Sequence, residues 1–316
     1  MGRAPGKKGV LKGQIELFDS EDLGTRKAEP SFRLTGGNVP QTGILKPPDQ
    51  TNAKSKLIAE YIRLFQQVTR GGLYIDGFAA PQSRSHEESW TARRVLEIEP
   101  KRLRGFWLCD IEEGGYKQLE KLRAQHHRVP RSRRVRALKG DFNDLVKGIL
   151  KTPTMRRNTA VFALLDQRTA ECHWDTVRAI AAREGRTKIE ILYFIGTGWL
   201  HRSLTQSKTP KRLLELQKWW GSDEWSSLTQ LTQLEMVTRI AARFTDELNY
   251  KFVKSYPITQ EERGNKVAFH LVHASDHPEA PKLMDRAFLK ICKDAPGFDD
   301  GRQSEMFSSG RSNPAL

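Results

Sequence analysis

Up to about residue 198, apolar positions alternate between two spacings. "TNAKSKLIAEYIRLFQQVT" sets Leu57, Ile58, Tyr61, Ile62 and Phe65 three or four residues apart, which makes one face of a helix apolar. "GLYID" follows as a short strand. "SWTARRVLEIE" returns to helical spacing through Ala92, Val95, Leu96 and Ile98. "GFWLCD" predicts a strand, "GYKQLEKLRAQ" a helix, and "RVRAL" a short strand. "DFNDLVKGIL" predicts a helix with Asp141 placed as its N-cap. "TAVFALLD" is apolar on both faces, as a buried strand is. "CHWDTVRAIAARE" is helical and "KIEILYFIG" is a further strand. Such alternation predicts a parallel sheet covered by helices on both faces.

The pattern then changes. Residues 199–248 predict helices only, with Trp199, Trp219, Trp220 and Trp225 clustered among them. "YKFVKSYPI" and "KVAFHLVHAS", joined by "TQEERGN", predict an antiparallel hairpin at the sheet edge. "PKLMDRAFLKICK" closes the domain as a helix. The expected fold class is α/β: a Rossmann-like, methyltransferase-type, mostly parallel sheet with helices on both faces, an antiparallel edge strand and a helical insertion over 199–248. The domain is expected to span 50–292. Residues 1–49 and 293–316 are punctuated by Gly, Pro and charge and are expected to be disordered arms.

Charge changes this picture most. The 316 residues carry 53 Lys+Arg against 38 Asp+Glu, a net charge of +15. A field of that sign attracts polyanions, and nucleic acid is the commonest in cytosol. The three cysteines, Cys109, Cys172 and Cys292, are far apart and form no C-x-x-C pair, so neither zinc nor a disulfide framework is indicated. A reducing, cytoplasmic setting is expected. No apolar run approaches the ~18 residues of a membrane span.

Ligands of open parallel sheets bind at the carboxyl ends of the strands, where the strand order switches. Four successive strands deliver an aspartate there: Asp76, Asp110, Asp141 and Asp166. Asp76, with Gly77 and Phe78, either borders the amino-acid end of S-adenosylmethionine or caps its own turn. Asp110 can accept two hydrogen bonds from a ribose, with Glu112 the competing candidate. Asp141 either meets an adenine or caps its helix. Asp166 either faces the reacting atom, as the candidate catalytic group, or pairs with Arg168 or another arginine. Lys54 and Lys56 either touch phosphate or lie on a solvated helix face. A Cys172–His173 nucleophile pair lacks a third group. Arg131, Arg133, Arg134 and Arg136 crowd one loop, and guanidinium forks suit the phosphates of nucleic acid. Trp219 and Trp220 either stack on bases or pack within the helical segment.

Together the stretches "QTNAKSKLIAEYI", "LYIDGFAAP", "SWTARRVL", "GDFND", "FALLD…HWDTVRAIAA", "IEILYFIGTGWLHRSL" and "HLVHASDHPEAPKLMDRAF" resemble the three-Cys-motif partner (TcmP) family over roughly residues 50–292. The resemblance implies a methyltransferase-type fold and association with an iron–sulfur, radical-type protein that itself carries the three-cysteine motif. Two motifs depart from the family pattern. Ala80 and Gln82 stand where the first loop has glycines, and Gln167 follows Asp166 where the family has proline. A methyl group at position 80 is expected to crowd a cofactor lying against the backbone. Two readings stay open: an S-adenosylmethionine-dependent methyltransferase acting on or with nucleic acid, and a catalytically degenerate relative serving as a nucleic-acid-binding or partner-docking module.

Overall fold

A computed structural model describes residues 49–81, 87–155, 159–183, 185, 187–206, 209–260 and 266–291. The arms expected to be disordered lie, but for Asp49, outside the described residues, as do Gln82 and Cys292.

The chain runs α1 (Asp49–Val68), β1 (Leu73–Asp76), α2 (Thr91–Glu97), β2 (Gly105–Asp110), α3 (Glu113–His126), β3 (Arg134–Lys139), α4 (Phe142–Leu150), β4 (Val161–Leu165), α5 (Trp174–Ala181) and β5 (Glu190–Ile195). Three helices follow, α6 (Thr197–Gln206), α7 (Pro210–Trp220) and α8 (Gln233–Asp246), then β6 (Phe252–Gln260), β7 (Lys266–Ser275) and α9 (Glu279–Ile291). The seven strands lie in the order β3-β2-β1-β4-β5-β7-β6. Strands β1 to β5 pair in parallel, and β7 pairs antiparallel with both β5 and β6. This is the methyltransferase-type arrangement expected from the sequence. The hairpin lies at the edge, but the strand that runs against the rest is β7, one place in from the rim.

The period of two along each strand divides the core. Leu73 and Ile75 face a cluster built with α4 to α8, whereas Tyr74 faces a second cluster built with α1, α2, α3 and α9. Helix α1 buries Leu57, Ile58, Tyr61 and Ile62 completely. Burying an aliphatic side chain of this size contributes ~1.5–3 kcal/mol. Tyr61 also donates to Glu190, which accepts from Ser275 Oγ at 3.0 Å and lies 3.0 Å from His273 Nε2. That buried network ties α1 to β5 and β7.

The helices between β5 and β6 fit their sequence signals. Pro210 opens α7, and Gly221 ends it in the left-handed conformation at φ 87°. A capping box of Thr232 and Glu235 starts α8. Trp219 and Trp220 are buried, and Trp219 Nε1 donates to Tyr193 Oη at 2.7 Å. The Arg243 guanidinium lies 3.9 Å from the Trp174 ring centroid and 4.0 Å from that of Trp220. These tryptophans pack and present no face for a base.

Candidate functional site

The strand order switches between β1 and β4, so the crevice belongs at their carboxyl ends. Asp76 ends β1 and is 1% exposed. It accepts from the Phe78 N–H at 3.2 Å and from Tyr74 Oη at 3.1 Å. Burial, then the charge of Asp166, pushes its carboxyl up to about 7, against the pull of those two donors and of Lys54. Asp166 follows β4 and forms an ion pair with Lys54 Nζ at 2.8 Å. The two side chains are 11% and 4% exposed.

Lys54 therefore does not lie on a solvated face, and Arg168 is not the partner of Asp166. The lysine stands one turn before Leu57 and Ile58, so it extends the apolar stripe of α1. Its ammonium lies 4.7 Å from the Phe194 ring centroid and 5.5 Å from that of Phe269. That continuity of spacing was the sequence signal for its burial.

The hollow between these groups is lined by Lys54, Asp76, Phe78, Ala80, Trp90 and Asp166, among others. Its volume is about 30 Å³. That is room for roughly one water. Small-molecule sites occupy roughly 300–1,000 Å³.

The other two aspartates face elsewhere. Asp110 ends β2 and accepts from the Glu112 N–H at 2.8 Å and from the Ala80 N–H. Its carboxyl is raised by burial, with these two N–H groups and Arg168 opposing. Asp141 caps α4, accepting from the backbone N–H and the side-chain amide of Asn143, each at 2.8 Å. Asn143 in turn donates to the Glu171 carbonyl and accepts from the His173 N–H and Thr176 Oγ1. Neither Asp110 nor Asp141 lines the hollow.

The loops are held in the same inward manner. After β1, the Ala79 N–H donates to the Cys109 carbonyl at 2.8 Å, and Trp90 Nε1 donates to the Ala79 carbonyl at 2.6 Å. A methyl group built on Gly115 of α3 would meet Asp110 Oδ1 at 2.5 Å and Ala80 Cβ at 2.7 Å, so loop and helix are already in contact. One built on Gly77 would meet the Phe142 ring at 2.7 Å. The bare surface of Gly77 is thus covered by this chain's own aromatic ring. After β4, Gln167 is buried, accepting from the Cys172 N–H at 3.0 Å and donating to the Phe194 carbonyl at 3.3 Å. Cys172 is fully buried, and burial pushes its thiol up, away from the nucleophilic thiolate.

S-adenosylmethionine, the cofactor this fold class implies, does not fit here. Ala80 fills the approach beside Asp110, and the hollow that the described residues line at the switch point is about a tenth of the smallest usual site.

The arginine loop also divides. Arg133 is 1% exposed, donates to the Leu96 carbonyl at 2.7 Å and lies 5.0 Å from the Phe106 ring centroid. Burial lowers its pKa to about 10. It is a core residue and cannot reach a phosphate. Arg131 is exposed, while Arg134 and Arg136 are half-buried on the opposite face of β3.

No family model and no curated protein matches the chain. Solved structures do. The methyltransferase domain of a bacterial protein, CtHen1-C, aligns at TM-score 0.41 and 7% identity, over 71% of this chain and 98% of that one. LPL1258 from Legionella pneumophila aligns at TM-score 0.43 and 9% identity, over 78% and 94%. Spermidine synthase from Thermotoga maritima aligns at TM-score 0.41 and 11% identity, over 83% and 72%. The likeness is one of fold alone. The class, a Rossmann-like methyltransferase-type domain, rests on the strand order.

Proposed function

We propose that this chain is a methyltransferase-fold protein without methyl-transfer chemistry, serving as a nucleic-acid-binding and partner-docking module. One observation carries the reading: each aspartate at the four strand ends is engaged by this chain's own donors. Asp166, the candidate catalytic group, is neutralised by Lys54, and the space beside it admits water but no methyl donor. The net charge of +15 supports nucleic acid as the ligand class. The resemblance to the three-Cys-motif partner family supplies the partner class, an iron–sulfur, radical-type protein.

The competing reading is methyl transfer from S-adenosylmethionine, with Asp110 on the ribose and Asp166 steering the acceptor. The near-neutral carboxyl of Asp76 and the fold class favour it. Calorimetric titration separates the two. The module reading expects no saturable heat with S-adenosylmethionine or S-adenosylhomocysteine at millimolar ligand, alongside retained oligonucleotide binding. Saturable binding that weakens in Asp110→Ala supports the enzyme reading instead and overturns the module reading.

A further inference from the structure

The opposite rim of the sheet is built differently. Strands β1, β2 and β3 are parallel, so their first residues Leu73, Gly105 and Arg134 lie side by side. The segments entering those strands bring Arg70, Arg104 and Arg134 to one edge, and Arg136 follows two residues along β3. All four line a groove of about 380 Å³, floored by Gly71 and Gly72. Those glycines turn the chain into β1 at φ 146° and 130°, a conformation that disfavours any side chain, and so they leave bare backbone at the floor. Ser132 and Thr159 add hydroxyl groups to the wall, while the Thr69 hydroxyl there already donates to the carbonyls of Phe65 and Gly71.

Among the described residues, no carboxylate lines this groove and none forms an ion pair with Arg70, Arg104, Arg134 or Arg136. This contrasts with Arg63, Arg93, Arg123, Arg178 and Arg243, each of which is paired with a glutamate or aspartate. Among the described residues, the Arg134 guanidinium donates only to the carbonyls of Arg131 and Arg133. Arg136 stacks 4.8 Å from the Trp107 ring centroid, and its Nη1 is buried with no hydrogen-bond partner. The four arginines share one groove without counter-charge among the described residues. Burial and the neighbouring Arg134 both disfavour the charged form of Arg136.

We infer that this amino-terminal rim of the sheet is a phosphate-binding groove that takes the backbone of a nucleic-acid strand. The ligand class is a phosphodiester, recognised by guanidinium forks and small hydroxyl donors over bare glycine backbone. The inference rests on the nucleic-acid part of the proposed function and adds where the strand lies: on the far rim from the switch-point crevice, with Arg70, Arg104, Arg134 and Arg136 as contacts.

The test is fluorescence polarisation with a labelled single-stranded DNA or RNA of about 12 nucleotides, over a salt series from about 50 mM upward. The groove variant is Arg70→Glu with Arg104→Glu, both exposed residues, with melting curves taken to confirm the fold. The control is Arg239→Glu with Arg286→Glu, exposed positions on α8 and α9 that impose the same change in net charge. The groove variant is expected to bind at least about tenfold more weakly, and its salt slope to fall by about 1.4 for two lost contacts. The control is expected to shift affinity by no more than about twofold. Equal losses in both variants, with wild-type binding intact, overturn the groove while leaving the nucleic-acid reading standing. No binding by wild type to either strand at low salt overturns both. Competition by pyrophosphate equal to that by the oligonucleotide, mole for mole, identifies a small-anion site and overturns the strand assignment.

Discussion

The two rims of one sheet handle charge in opposite ways. At the carboxyl rim the acidic groups are satisfied from within: Asp166 by Lys54, Asp110 by the N–H groups of Glu112 and Ala80, and Asp141 by Asn143. At the amino rim Arg70, Arg104, Arg134 and Arg136 line a groove more than ten times larger with no counter-ion among the described residues. Strand-end aspartates alone do not make a ligand site. What separates a binding surface from an internal brace is whether the polar groups still have hydrogen-bonding capacity to offer. On that criterion the rim where this fold class places its ligand is closed, and the other rim is open.

The largest effect tests the closed rim. Lys54→Met leaves the nearly buried Asp166 without its counter-charge, and is expected to cost about 3–5 kcal/mol in urea unfolding. Replacing both members, Lys54→Met with Asp166→Leu, is expected to recover most of that loss. A single variant within about 0.5 kcal/mol of wild type would mean the pair is solvated and the crevice open.

Next in size is the pH dependence of stability. The Asp76 carboxyl moves from an ordinary 3.8 to about 7 in the folded chain. Between those values the folded state keeps a proton that the unfolded state has released, so this group's contribution to stability falls as pH rises through the window. The full swing is on the order of a few kcal/mol. Asp76→Asn, which still accepts from the Phe78 N–H, is expected to flatten that slope and to be more stable than wild type at pH 8. Parallel stability–pH curves for the two proteins would place Asp76 in solvent instead.

Smaller still is Asp110→Ala, which frees the N–H groups of Glu112 and Ala80 at a partly exposed site. A loss of about 1 kcal/mol is expected, read as a lower midpoint at unchanged m-value. No loss would mean that Asp110 braces nothing and has its oxygens available for a ligand.

Much of this was legible in the sequence, because period and punctuation carry it. The alternating strands and helices to residue 195, the apolar stripe of α1 and the cap at Asp141 all follow from local spacing. The place of β7 between β5 and β6 did not, since pairing partners far apart in the chain leave no local pattern. Lys54 was misread because its charge outweighed its position, although 54, 57, 58, 61 and 62 form one helical stripe. Arg133 was misread in the same way. Period two aligns it with buried Val135, whereas Arg134 and Arg136 point to the other side. The occupancy of the crevice was half visible. Ala80 and Gln167 marked altered loops, but only the fold shows Phe142 on Gly77 and Gln167 bonded to Cys172 and Phe194.

Hydrogen–deuterium exchange, read peptide by peptide with saturating oligonucleotide and separately with S-adenosylmethionine, compares both rims at once. Slower exchange with the oligonucleotide is expected in peptides covering 69–73, 102–105 and 132–136, with no change at 76–81 or 110–115 under either ligand. Protection of 76–81 and 110–115 by S-adenosylmethionine would contradict the account, because it would put the adenosyl group in the space that Ala80 and Asp110 close.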